Sequence, residues 1–437
     1  MTAKRQRLAP PSLIRLSGRR ALGLSCLIDI PPGGITMLRA AALTFCLALA
    51  PSVVLAAQAG APARPAMQLY YPERFDWQKK APADVGFNAA RLDAAVKFAI
   101  SKDTKPNAGS MLNYLATTFG ASEPFDTPIG PVKDRAPANG FITRHGYVVA
   151  EWGDTNAVDM VFSVSKTFLT TVVGLAVQRG LIKDVNDFAR PYMPTGVDLF
   201  DAAHNRNIRW DHMLRQSSDW QGTLWGKPDW ADRPEGATPA EWPNRKLYEP
   251  GTRYKYSDVR VNMMALAALY VWRRPLPDVL REEIMNPIGA SSTWRWYGYD
   301  NSWVDIDGTR MQSVAAGGHW GGGMQLNAWD MGRFGYLFLR NGKWKDRQLV
   351  SEKWIEMART PGPANKVYGF ANWYLNTGKE VLPAVSDKVF WFQGNGNNIV
   401  YMDQENDIVA VVRWIDTIPS LNEFARMMNA ALEDPKK

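Results

Sequence analysis

Residues 161–166 read Val-Phe-Ser-Val-Ser-Lys and run straight into Thr-Phe-Leu-Thr-Thr-Val-Val-Gly-Leu-Ala. Apolar Phe168, Val172, Leu175 and Ala176 recur at helical spacing, which predicts a helix here with a serine as N-cap behind Phe162. Residues three apart on a helix share a face, with Cβ atoms about 5–6 Å apart. Ser163 and Lys166 therefore meet at the first turn, while Ser165 points elsewhere. A serine hydroxyl is a poor nucleophile until a base takes its proton. A lysine helps only when its charge is offset or its pKa is lowered by burial and neighbours. Taken alone, the four residues read more simply as a capping serine and a solvated lysine, so the rest of the chain decides.

The chain has 437 residues, 46% hydrophobic and 22% charged, enough for one large domain or two ordinary ones with a sizeable core. The formal charge of +8 is concentrated at the front. Residues 1–59 hold seven basic residues (Lys4, Arg5, Arg7, Arg15, Arg19, Arg20, Arg39) and the single acid Asp29, so residues 60–437 carry only +2. Charge gives nucleic-acid binding no support. Both cysteines, Cys26 and Cys46, also lie in this leader. From Met37 it reads as a secretory signal peptide: Arg39, an apolar run over 40–57, then Ala57-Gln58-Ala59 as a small-residue cleavage site. An uncleaved anchor is the lesser reading, since the run approaches spanning length. Residues 1–36 read as an upstream extension. The expected mature protein is exported, periplasmic or secreted, without a membrane span or a disulfide.

Residues 60–83, rich in Pro and Ala, read as a linker or arm. Residues 87–101 have helical periodicity, and 105–139 have none. Residues 140–153 read as a hairpin around His145-Gly146. Helices and loops are expected to alternate from 166 to about 290, with further helices over 327–339, 352–357 and 421–432. Strands are expected over 389–392, 398–402 and 408–412. Strands at both ends and helices between them predict an α+β fold: an antiparallel sheet built from both termini, flanked by helices, with a mostly helical insert over about 167–330.

A second polar element, Tyr256-Ser257-Asp258, opens another apolar helix over 261–269. A tyrosine beside a Ser–Lys pair can relay protons as tyrosinate, held deprotonated by the lysine charge. Alone, Tyr256 reads as an amphipathic core residue. Together these elements resemble the serine beta-lactamase-like family, which includes class C beta-lactamases, DD-peptidases, family VIII esterases and aminohexanoate-oligomer hydrolases. The resemblance runs from about Phe141 to Trp414. Residues 145–153 resemble the family's first strand pair, Ser163-Val164-Ser165-Lys166 its nucleophile motif, and Tyr256-Ser257-Asp258 its Tyr-x-Asn element. Residues 321–335, from Gly321-Gly322-Gly323 to Gly335, resemble its glycine turn and the helix after it. The resemblance implies the beta-lactamase/transpeptidase-like fold for residues 84–437 and an acyl-enzyme mechanism. Ser163 would attack a carbonyl, with Lys166 and Tyr256 handling the proton. The Ser163 N–H and an N–H on the strand carrying Gln393-Gly394-Asn395-Gly396 would stabilise the oxyanion.

Two departures matter. The segment 392–397 has no cationic residue where the family's Lys-Thr-Gly or His-x-Gly element holds a substrate carboxylate. Asp258 replaces an asparagine, and a carboxylate accepts from Lys166 but cannot donate to a substrate carbonyl. Both point to hydrolysis of carboxylic esters or small amides. The alternatives are a beta-lactamase or DD-peptidase acting on peptidoglycan-like substrates, and a catalytically silent binding protein of the same fold. Trp220 and Trp225 are candidates to line an acyl or leaving-group pocket, and His319, among glycines, to face it; loop pinning and a backbone-satisfied turn are the simpler readings. The four histidines have no metal-ligand spacing, and neither a Gly-x-Ser-x-Gly elbow nor a phosphate loop is present. No metal and no cofactor is expected, and the expected partner is a small ester or amide.

Overall fold

Strands from the two ends of the chain pair with one another. The computed structural model describes residues 69–104, 110–125 and 127–433; the proposed leader, with its signal peptide over 37–59, lies outside them. From the first half come β1 (Asn139–Arg144) and β2 (Tyr147–Trp152). From the second half come β3 (Tyr374–Leu375), β4 (Phe390–Gly394), β5 (Asn398–Asp403) and β6 (Ile408–Arg413). They form one antiparallel sheet in the order β3-β4-β5-β6-β1-β2, with Phe141 of β1 opposite Val411 of β6. The β1–β2 turn is His145-Gly146, with φ of +52° and +84°, the left-handed pair that a tight hairpin requires.

The period-two pattern of β5 and β6 sorts their side chains onto two faces, and both faces are buried. Val400, Met402, Val409 and Val411 enter one core; Ile399, Tyr401, Ile408, Ala410 and Val412 enter the other. Helices α1 (Ala89–Ser101) and α5 (Ile418–Ala430) cover the second face. On the first lie α2 (Ser165–Gln178), α3 (Asp258–Trp272) and α4 (Ala328–Leu339), with α4 directly on β5 and β6. Side chains at α4's closest approach would not fit: a Cβ at Gly332 would lie 2.1 Å from Phe141 Cζ, and one at Gly335 2.4 Å from Val400 Cγ1. Those glycines set how near α4, and with it the whole first core, sits to the sheet.

Three local outcomes differ from the sequence reading. Helix α2 starts at Ser165, not Ser163, because residues 162–164 form a 3-10 turn and Ser163 caps nothing. Within the stretch read as a mostly helical insert, Arg295–Ile306, Thr309–Val314 and Gly323–Leu326 are strands that form a second antiparallel sheet with Asp159–Met160. Its signal was present in Asp307-Gly308, a hairpin dipeptide with φ of +53° and +76°. Finally, residues 69–83 are a packed arm: Trp77 donates to the Gly146 carbonyl, and the arm exchanges backbone hydrogen bonds with Val148. The described residues fall in one unit that begins at Ala66.

Valine gains little helix propensity over glycine, so Gly332→Val is expected to lose about 2 kcal/mol by overpacking against Phe141. The measurement is a urea midpoint at unchanged slope. A midpoint equal to that of the parent chain would mean that α4 lifts off the sheet freely.

Candidate active site

Ser163 sits at the bend where strand becomes helix. Phe162, in the left-handed region at φ +47°, turns the chain, and α2 begins three residues later. The Val161 N–H is held by the Met324 carbonyl, and the Met324 N–H donates to Ser165 Oγ at 2.8 Å, so Ser165 fastens the turn to the second sheet and faces away. Because the 3-10 turn leads directly into α2, Lys166 still reaches back: its Nζ lies 2.9 Å from Ser163 Oγ. The Tyr256 hydroxyl donates to the same oxygen at 2.5 Å.

Lys166 is fully buried, and its charge is answered by Asp258, 2.6 Å away and 3% exposed. Ser257 caps α3, accepting from the Arg260 N–H, and this places Asp258 in the first helical turn. The carboxylate fits only because residue 317 is glycine; a Cβ there would lie 1.8 Å from Asp258 Oδ2. Burial alone would raise the Asp258 pKa, but Lys166, His319 and Arg233 outweigh it and hold the carboxyl below its ordinary range. Tyr256 goes the other way. Burial, then the negative charge of Asp258, push its phenol well above the usual tyrosine value, against smaller opposing effects of Ser163 and Arg233. Asp258 thus takes up the lysine charge expected to hold a tyrosinate and raises the phenol, whose hydroxyl donates to Ser163 Oγ.

A second layer of charge lies behind Asp258. Its N–H donates to Asp232, which also pairs with the Arg233 guanidinium. His319 stands between two acids, Nε2 2.5 Å from Glu123 and Nδ1 3.7 Å from Asp232, with its ring stacked on Phe119 at 4.0 Å. Burial would lower the His319 pKa; Asp232, Glu123 and Asp258 together raise it. The turn histidine is thus satisfied by carboxylates, not by backbone. Glu123, Asp232 and His319 bring three potential metal-ligand atoms within 4.8 Å of one another. However, His319 spends both ring nitrogens on acids, and Asp232 already serves a backbone amide and an arginine, which is the arrangement of an ion-pair cluster.

The opposite wall is β4. A Cβ on Gly394 would lie 2.0 Å from the Val161 carbonyl, so glycine lets this strand approach the serine turn. Gly396 (φ +70°) makes the β4–β5 turn against the Trp414 ring. The Asn372 side chain accepts from the Gln393 N–H and donates to its carbonyl, both at 2.7 Å. β4 ends at Gly394, and Asn395 opens the turn that follows, with its side-chain oxygen accepting from the Tyr114 hydroxyl. Gln216, Tyr368 and Asn372 tie this strand to the tyrosine element: the Ser257 N–H donates to Gln216 Oε1, Gln216 Nε2 to the Tyr368 hydroxyl, and the Asn372 N–H to that hydroxyl.

Together these walls enclose a cavity of about 390 Å³. Of the residues singled out by sequence, Ser163, Tyr256, Asp258, His319, Gly394, Asn395 and Gly396 line it, with Lys166 directly beneath. Trp220 and Trp225 do not. Trp220 is buried in the insert with its indole N–H on the Leu199 carbonyl, and Trp225 sits at a left-handed turn whose carbonyl accepts from Asn301. Both pin loops. Sequence reasoning missed Thr104, Tyr114, Phe119, Arg233, Tyr374 and Asp416, which also line the cavity. Only the helix Met111–Thr118 had a detectable signal, in the apolar pair Met111 and Leu115.

The sequence from 141 to 417 matches the beta-lactamase family model. The chain belongs to that family. Its members are serine hydrolases, and this chain is an enzyme of that kind. No curated protein matches the sequence. Among solved structures, a beta-lactamase-like protein from Bacteroides dorei DSM 17855 is similar at TM-score 0.53 and 13% identity, over 78% of this chain and 99% of that one. A penicillin-binding-protein homologue from Caulobacter crescentus is similar at TM-score 0.50 and 14% identity, over 79% and 99%. A family VIII carboxylesterase is similar at TM-score 0.47 and 15% identity, over 79% and 98%. At such identities the likeness is one of fold.

Asp258→Ala strips a buried lysine of its partner and is expected to cost about 3–5 kcal/mol at pH 7. The folded carboxyl is depressed, so its contribution is complete above the unfolded value of about 4 and fades as pH falls through the folded one. The gap in urea midpoint between parent and variant should therefore narrow in acid; a gap under about 1 kcal/mol at pH 7 would mean that Lys166 does not depend on Asp258. For His319 the sign reverses. Its raised pKa stabilises the fold below about pH 6.5 and the effect is lost as pH rises through the folded value. His319→Gln should thus flatten the alkaline limb of the stability profile, and an unchanged limb would dismiss the charged imidazole.

Proposed function

We propose that this chain is an exported serine hydrolase that cleaves carboxylic esters or small amides through an acyl-enzyme on Ser163. The observation that carries the reading is the approach of Tyr256 OH and Lys166 Nζ to within 2.5 and 2.9 Å of Ser163 Oγ at the base of an open cavity. Ser163 attacks the carbonyl while its proton passes to Lys166, whose own proton moves to Asp258. The buried Lys–Asp pair is thus the proton sink, with no tyrosinate needed. The Ser163 and Asn395 N–H groups receive the oxyanion. As the tetrahedral intermediate collapses, Tyr256 gives its proton to the leaving oxygen or nitrogen and recovers one from Lys166. Water then repeats the sequence on the acyl-enzyme and frees the acid and Ser163.

The missing cation on β4 favours esters and simple amides over beta-lactams and peptidoglycan. Residues 37–59 are proposed as a signal peptide that directs the enzyme to the periplasm or medium, with residues 84–437 as the hydrolase domain. The test uses the full chain and Ser163→Ala, each with a short-chain nitrophenyl ester and a chromogenic cephalosporin. Ester turnover that disappears in the variant, with the cephalosporin intact, is expected. Tyr256→Phe should lower kcat by about 10²–10⁴, the usual loss of a general acid. Rapid cephalosporin turnover would replace the esterase reading with a beta-lactamase one. Inertness of both proteins toward both substrates, with no fluorophosphonate adduct on Ser163, would end it.

A further inference from the structure

Among the described residues that line the cavity, Arg233 is the one lysine or arginine. It comes from the loop ahead of the tyrosine element, on the wall opposite β4. Its backbone lies in the left-handed region at φ +50°, which costs a residue with a Cβ on the order of 1 kcal/mol and persists only where neighbours enforce it. Here they do: the Arg233 N–H donates to Glu123 Oε1, and its carbonyl accepts from Lys255 Nζ. The strained residue is fixed on both sides, yet its side chain remains 43% exposed. The guanidinium lies 4.8 Å from the Tyr256 ring centroid and 5.7 Å from that of Phe119. One tyrosine ring therefore separates it from Ser163.

A guanidinium has five N–H donors in a planar fork. Arg233 gives Nη1 to Asp232, and among the described residues its Nε and Nη2 edge has no hydrogen-bond partner. The other acids near the site are engaged: Asp258 with Lys166, Glu123 with His319, and Glu235 with Arg253 and Lys255. Lys166 and Arg233, with His319 beside them, meet three carboxylates (Asp258, Asp232 and Glu123), so the cavity holds no large excess of positive charge. With Asp416 also on its rim, it suits a monoanion better than a phosphate dianion. A planar carboxylate matches the free edge of the fork in bidentate geometry.

We propose that Arg233 is the specificity residue of this pocket, binding a carboxylate on the substrate from the insert side, so that the preferred substrates are esters or amides carrying a second, free carboxylate. This restores from another wall the anion recognition that β4 lacks. It rests on the serine-hydrolase reading above and narrows that reading's substrate class.

The full-length enzyme is compared on the monomethyl and dimethyl esters of glutarate and adipate, which differ only in whether the far end is charged, with acid release followed by pH-stat. For at least one chain length the monoester should have the higher kcat/KM, by about tenfold. In Arg233→Gln the monoester-to-diester ratio should fall at least tenfold, whatever happens to the absolute rates, and Arg233→Lys should recover part of it. A parent enzyme that prefers the diesters, or a ratio that Arg233→Gln leaves unchanged, overturns the proposal. A readout independent of turnover separates its failure from failure of the hydrolase reading. Ser163→Ala, titrated with glutarate and adipate by calorimetry, should bind at least one of them tenfold more tightly than Ser163→Ala/Arg233→Gln. Equal binding overturns the Arg233 assignment even if esters are hydrolysed. Should Arg233→Gln fail to fold, the parent decides: its monoester preference must weaken as salt is raised, and a salt-independent ratio counts against the proposal.

Discussion

A lysine ammonium sealed from water costs several kcal/mol in lost hydration unless a partner repays it. Lys166 has 0% exposure, so everything around Ser163 is arranged to make that charge tolerable. Asp258 answers Lys166, Gly317 makes room for Asp258, and Asp232 holds the Asp258 amide; His319 and Arg233 then balance Asp232. The chain of compensation runs outward from one ammonium through three elements of the fold. Each step fixes the next in position as well as in charge, which is why a nucleophile on a single turn depends on residues spread from Lys166 to His319.

The same compensation weighs against a tyrosinate at position 256. A tyrosinate needs an uncompensated positive charge close by, and an asparagine at 258 would have left Lys166 to supply one. The carboxylate removes that option and raises the phenol's pKa. With an aspartate at 258, the negative charge beside Lys166 rests on a carboxylate.

What the sequence disclosed is what depends on local periodicity. Ser163 and Lys166 are joined by helical spacing, and β5 and β6 by alternation; Gly394 and Gly396 enter only through the family resemblance, and their reason, passing the serine turn and the Trp414 ring, is visible only in the fold. Asp232, Arg233 and Glu123 left no such trace, because they lie in irregular segments and acquire meaning only from partners far along the chain. Trp220 and Trp225 were misplaced for a related reason: a tryptophan in a loop looks the same whether it lines a pocket or anchors the loop. The second sheet was legible only in its Asp307-Gly308 turn, since Arg295–Ile306 mixes charged, aromatic and glycine residues.

The Asn372 side chain does for Gln393 what a neighbouring strand would do, filling both the donor and the acceptor of an exposed sheet edge. An edge left open invites extended chains to add themselves by backbone pairing, the route by which many proteins read peptides and by which sheets aggregate. Here β3 ends opposite Trp391, and Asn372 closes the next rung. A long polypeptide laid along β4 would have to displace a buried amide before gaining its second rung. That one side-chain amide makes the wall beside Ser163 a poor template for strand addition.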